Sequence, residues 1–297
     1  MFLRRKVMLA VVLGLFAGLL AAGCGGGQGG GSGSGDDRSL TIGYINWDED
    51  VAVANLSQIL LEEELDYEVE LQLLDVGPLF EGVASGDLDA FQDVWLPTTH
   101  ETYWNEFQDQ VVDLGQWYEG EASLGIAVPE YAEARTIGDL AQYRDEFGGR
   151  IVGIEPGSGI MGVTKDEAVP AYGLDDYEVV DSSTPAMLGQ VESSLENQEP
   201  IAFTAWKPHW MFTAYDIRYL EDPEGAMGEA EQLSAIAREG LEEDAPEAFD
   251  FLDKLTLNEE QLGELELAIQ EAENPEEGTR AWLEENRDVV EAWLPQG

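Results

Sequence analysis

The chain is poor in positive charge, in histidine and in cysteine, and each shortage removes a class of function. Lysine and arginine together number 14 against 62 aspartates and glutamates over 297 residues, a formal net charge of −48. The lysines are Lys6, Lys165, Lys207 and Lys254 alone. A surface this acidic repels nucleic acid and anionic lipid. It also repels itself in dilute buffer, and concentrated salt relieves that repulsion, the Debye length being only ~3 Å at 1 M. The composition therefore suits a protein exposed to brine. With two histidines, His100 and His209, and a lone Cys24, neither an internal disulfide nor a zinc-ligand spacing is available, and no metal or other cofactor is expected. No G-x-S-x-G, P-loop or G-x-G-x-x-G order occurs; the glycines of Gly153–Gly159 (GIEPGSG) are wrongly spaced for a dinucleotide site. Acidic pairs are unavoidable at this composition. A hydrolase would need two of them facing across a cleft, which leaves catalysis as a third option and no residue assigned to it.

What is present begins with an export signal. Arg4, Arg5 and Lys6 precede the apolar run Val7–Leu20, which is short of the ~20 apolar residues of a membrane span. Small residues Ala21, Ala22 and Gly23 then lead to Cys24. This arrangement resembles a bacterial lipobox, although Ala21 stands where leucine is commoner. It implies a leader over residues 1–23, lipidation of Cys24, and export to the periplasm or the outer face of the cytoplasmic membrane. Residues 24–38, mostly glycine and serine, read as a tether.

Beyond Ser39 the sequence repeats a plan. LTIGYI (40–45), a helical AVANLSQILLEEE (52–64), EVELQLLD (68–75), a helix near 77–86 and AFQDVWLP (90–97) form one stretch. RIVGIEPGSGI (150–160), a helical segment at 164–172, YEVVDSS (177–183), a helix over 186–197 and IAFTAWKP (201–208) form the other. Both end in Trp-x-Pro, at Trp95 and Trp206. Alternating strand and helix patterns imply parallel βαβ units. The expected fold is α/β with two lobes of the type II periplasmic-binding-protein kind, each a central, mostly parallel sheet flanked by helices. Lobe 1 is placed at 39–123, an extended crossover at Ser123–Pro129 leads into lobe 2 at 124–224, and 225–297 is expected to be helical and to return to lobe 1. Asn258 with Gln261, and Asn274 with Glu277, are candidate helix starts.

Of the eight tryptophans, Trp282 and Trp293 are expected in helix packing, and the core is the simpler place for Trp104, Trp117 and Trp210. Trp47, Trp95 and Trp206 follow or end strands, where open α/β sheets bind ligands. They are therefore expected to converge on a cleft between lobes. Asp48, Glu49 and Asp50 beside Trp47 read as a solvated helix start, and no role is expected for His209.

The motifs DVWLPTTH (93–100), VGIEPGSGI (152–160), TAWKPHWMF (204–212) and RYLEDP (218–223) resemble the glycine betaine-binding proteins of ABC importers, most closely the lipid-anchored type, in their unpermuted order. The resemblance implies a cage of Trp47, Trp95 and Trp206 around a trimethylammonium. It also implies a carboxylate clamp made by the backbone N–H groups of Gly159 and Ile160 with His100. Physically such a cage is apt. A trimethylammonium has no N–H to donate, so an aromatic face suits it better than a carboxylate partner, at up to ~2 kcal/mol per desolvated face. The expected function is capture of glycine betaine, or a relative such as proline betaine, by a non-enzymatic monomer. It would serve permease and ATPase subunits for osmoprotection. The alternative is a tethered sensing module of the same fold.

Overall fold

The computed structural model describes residues 38–294; the leader, Cys24 and the tether up to Asp37 lie outside the described residues. Strands β1 (Ser39–Tyr44), β2 (Glu68–Leu73), β3 (Ala90–Leu96) and β4 (Val111–Gln116) come first, followed by β5 (Ser123–Pro129), β6 (Arg150–Val152), β7 (Glu178–Val180), β8 (Phe203–Lys207) and β9 (Ile217–Tyr219), and last by β10 (Gln232–Arg238). They form two five-stranded sheets, ordered β2-β1-β3-β10-β4 and β7-β6-β8-β5-β9. The two orders are the same pattern. In each, two parallel pairings (β1 with β2 and β3; β6 with β7 and β8) adjoin an antiparallel neighbour, β10 against β3 and β5 against β8. The chain passes from the first sheet to the second between β4 and β5 and returns between β9 and β10.

Two expectations are corrected here. Ser123–Pro129 is extended, but as a full member of the second sheet, bonded to β8 on one side and β9 on the other. The region after 223 is not wholly helical. It opens with β10, whose QLSAIAR is buried at Leu233, Ser234, Ala235, Ile236 and Ala237. Burial on both faces erases the alternation by which a strand is recognised.

Strand β3 lies between β1 and β10 and is buried from Ala90 to Trp95. Helix α1 (Asp48–Leu65) packs over this sheet and is covered in turn by the helices Glu259–Glu271 and Pro275–Glu285. The first of these starts at a capping box in which Asn258 and Gln261 bond each other's backbone N–H; the second has Asn274 accepting from the Glu277 N–H. Trp117, Trp282 and Trp293 are buried and Trp104 is half-buried against the core. In the second stretch the helix expected at 164–172 begins earlier, at Gly159, and widens to π geometry over Val163–Ala168 before ending at Ala171. The GSGI turn is thus the helix's own start.

Candidate functional site

Trp47, Trp95 and Trp206 converge on one cavity. Trp47 is the N-cap of α1, one turn beyond β1; Trp95 stands near the end of β3 and Trp206 near the end of β8. The peptides that follow the last two, Leu96-Pro97 and Lys207-Pro208, are both cis. The three indoles are only 5%, 2% and 3% exposed, so a cation held among them would be desolvated, the condition under which aromatic faces attract it most.

Two of these indoles are fixed by buried carboxylates. Trp95 Nε1–H donates to Asp93 Oδ1 at 3.0 Å, and Trp206 Nε1–H donates to Glu49 Oε2 at 2.9 Å. The second bond crosses from α1 to the strand of the other sheet. Glu49 itself lines the cavity. The acidic helix start is therefore not solvated as expected. Glu49 and Asp50 are fully buried, and the side chain of Asp48 is 22% exposed. The cause is tertiary. The Trp206–Trp210 segment of the other lobe covers the start of α1, and Asp50 turns inward to accept the Ile45 N–H at 2.7 Å. Burial, with Asp93 next, pushes the Glu49 pKa well up. Burial likewise raises Asp50, Asp93 and Glu266. For Asp48, burial is outweighed by His209 and by the Trp210 hydrogen bond, and its pKa falls below the ordinary value.

On the opposite wall, Ser158, Gly159 and Ile160 meet Thr99. Because the helix starts at Gly159, the amides of Gly159 and Ile160 are its first two and have no intrahelical acceptor. Gly157, at φ +98°, supplies the turn before them. Gly159 has a second reason to be glycine: a Cβ there would fall 2.4 Å from the Thr99 carbonyl oxygen. The Thr99 turn is held rigidly, since Glu231 accepts the Thr98 and Thr99 N–H groups, both at 2.8 Å, and the Thr99 hydroxyl.

His100 is fully buried but stands one ring back from the cavity wall, stacked on Trp47 at 5.8 Å between centroids. Burial pushes its pKa down to about 3, so the ring is neutral. Its Nδ1 accepts the Trp95 N–H at 3.0 Å, which places the proton on Nε2. That buried Nε2–H has no hydrogen-bond partner. Of the six residues expected at the site, Trp47, Trp95, Trp206, Gly159 and Ile160 line the cavity and His100 does not. Sequence reasoning missed Glu49, Thr99, Leu124, Ile154 and Ser158 in the lining. Thr99, Ile154 and Ser158 lie within the motifs that carried the resemblance, whereas Glu49 and Leu124 had no local signal.

Two equivalent α/β lobes with an aromatic, water-excluding cleft between them are the architecture of a solute-binding protein. The chain belongs to the family of substrate-binding domains of ABC-type glycine betaine transport systems, which matches residues 38–285. The structure is similar to lactococcal OpuAC in its closed conformation with glycine betaine, at a TM-score of 0.81 and 34% identity over 87% of this chain and 100% of that one. A glycine betaine/L-proline-binding protein from Borrelia burgdorferi gives 0.81 and 32%, over 87% and 97%. A choline-binding protein of an ABC transporter with choline bound gives 0.79 and 25%, over 86% and 91%. In sequence, the chain is 35% identical over 174 residues to a glycine betaine/carnitine transport binding protein of Listeria monocytogenes serotype 1/2a, spanning 58% of this chain and 56% of that protein, under two thirds of its length.

Proposed function

We propose that this chain is the exported receptor of an osmoprotectant importer, that it captures glycine betaine between its lobes, and that it releases the solute unaltered. The observation that carries the reading is the convergence of Trp47, Trp95 and Trp206 on one buried cavity. Their indoles would surround the trimethylammonium. The Gly159 and Ile160 amides would receive the carboxylate, each charged hydrogen bond adding ~1.5–3 kcal/mol. His100 does not line the cavity; it would support the cage from behind, stacked on Trp47. Glu49 adds a carboxyl group beside the cage that the resemblance alone did not imply, and it holds the Trp206 indole in place. In this reading Cys24 carries the lipid anchor, the folded body spans lobe 1 (39–123), lobe 2 (124–224) and the returning C-terminal segment, and the protein acts as a monomer toward permease and ATPase subunits.

Calorimetry tests the two-ended grip. Choline keeps the trimethylammonium and lacks the carboxylate, so it should bind at least ~2–3 kcal/mol more weakly than betaine. Choline binding as tightly as betaine, or recovery of a chemically altered ligand, contradicts the proposal.

A further inference from the structure

The start of α1 carries two adjacent carboxylates that grip two indoles of the other lobe, and only one of these grips belongs to the cavity. Glu49 takes Trp206, and both line the cage. Asp48, one residue earlier, accepts the Trp210 indole N–H through Oδ1. Its Oδ2 lies 3.1 Å from His209 Nε2, off the line of a normal hydrogen bond. The His209 ring is held in place by the Met211 backbone N–H, which donates to its Nδ1 at 3.1 Å. Asp48, His209 and Trp210 are all absent from the cage lining. Asp48 and Trp210 instead wall an outer cleft together with Thr184 and Glu192, where water can compete for the carboxylate.

We propose that Asp48 with Trp210 is a closure latch, a positioning pair that holds the lobes together without touching the ligand and sets how slowly the solute leaves. The inference deepens the betaine-receptor reading and rests on it for the identity of that solute. The arrangement suits the task in three ways. The acceptor is a carboxylate at a helix N-terminus, where the helix dipole favours its charge. The donor is an indole N–H, which has no other polar function to perform. Asp48 also adjoins Trp47, and Trp210 follows Trp206 across the short turn after β8, so seating the outer pair bears on a cage indole on each side. A ligand closes such a protein only by its differential affinity for the closed form; a latch lowers the difference that it must supply.

The test uses the full chain with Cys24→Ser and spin labels at Glu70→Cys and Glu196→Cys, exposed positions on β2 and on the helix Thr184–Asn197. Distance distributions are recorded without ligand, and betaine release is followed by stopped flow. Asp48→Ala and Trp210→Phe should each lower the closed-to-open ratio, and each should speed release by about 10-fold or more, the worth of a hydrogen bond to a charged group. Association should change little. Because each variant breaks the same bond, the double variant should be no worse than the more severe single one. Trp210→Phe keeps the ring and hence the packing, so its melting temperature serves as the folding control. Unchanged distances together with unchanged release in folded Trp210→Phe overturn the latch, as do single effects that multiply in the double variant. A wild type that binds no quaternary ammonium overturns the functional reading instead, and the ligand-free distances then decide the latch alone.

Discussion

Trp206 carries two interactions at once, a face toward the cavity and an N–H that holds Glu49. Trp206→Ala should therefore weaken betaine binding by roughly 30-fold or more, ~2 kcal/mol for the lost face, and titration of the purified variant measures it. Gly159 makes the complementary case, in which adding an atom does the harm. The Cβ of Gly159→Ala would meet the Thr99 backbone, which Glu231 prevents from yielding. The variant should melt within a few degrees of wild type without ligand, lose at least 10-fold in affinity, and stay expanded in small-angle scattering when betaine is added. Compaction equal to wild type would show that the two turns can separate without loss. Trp47, Trp95 and Trp206 were legible because strand ends are where such folds place ligands. Glu49 was not. Three successive acids at a helix start ordinarily face water, and nothing local announces that residues ~160 positions away in sequence will cover them.

The same limit operates on whole elements. The repeated order of strand and helix made β1–β3 and β6–β8 readable, because their period and their spacing to Trp-x-Pro agree. β10 was hidden because a strand inserted between two others is buried on both faces and shows no alternation. The start of α1 and the middle of β3 together bring Glu49, Asp50 and Asp93 into the core, with Glu266 from a C-terminal helix beside them. Burial is the main cause that raises all four pKa values, so the folded protein holds protons that the unfolded chain has released. By linkage these groups lower stability as pH rises from the ordinary carboxylate range through their raised values. His100 acts oppositely: its pKa is pushed down to about 3, so the unfolded state binds the extra proton and stability rises with pH up to the ordinary histidine value of ~6.5. Above ~6.5 the His100 contribution is complete, and as long as the raised carboxylates are still losing protons the melting temperature should fall as pH rises. Asp93→Asn should flatten that fall. A melting temperature that climbs as pH rises above ~6.5 would mean that these carboxylates are ionised in the folded state.

At the scale of the whole molecule, the dominant fact is that 62 acids face 14 bases. Most acids therefore have no basic partner to meet, and several of the ion pairs that do form, such as Arg38–Glu247 and Lys254–Asp250, are substantially exposed. Exposed pairs contribute ~0–1 kcal/mol each, too little to offset the mutual repulsion of the remainder. That repulsion grows as the body compacts, and it is long-ranged, so it responds to screening. The cage is the opposite kind of interaction: its indoles are 2–5% exposed and act at contact distance. Salt should therefore govern folding far more than recognition. Between dilute buffer and molar salt the melting temperature should rise by ten degrees or more, while betaine affinity, measured where the protein stays folded, should change by less than about 3-fold. Surface acids are the ones at stake, so replacing several exposed glutamates of the helix Pro275–Glu285 by glutamine should reduce the salt response without altering affinity. A melting temperature indifferent to salt, with affinity collapsing as salt rises, would place the charge effect in the cleft and remove it from the fold as a whole.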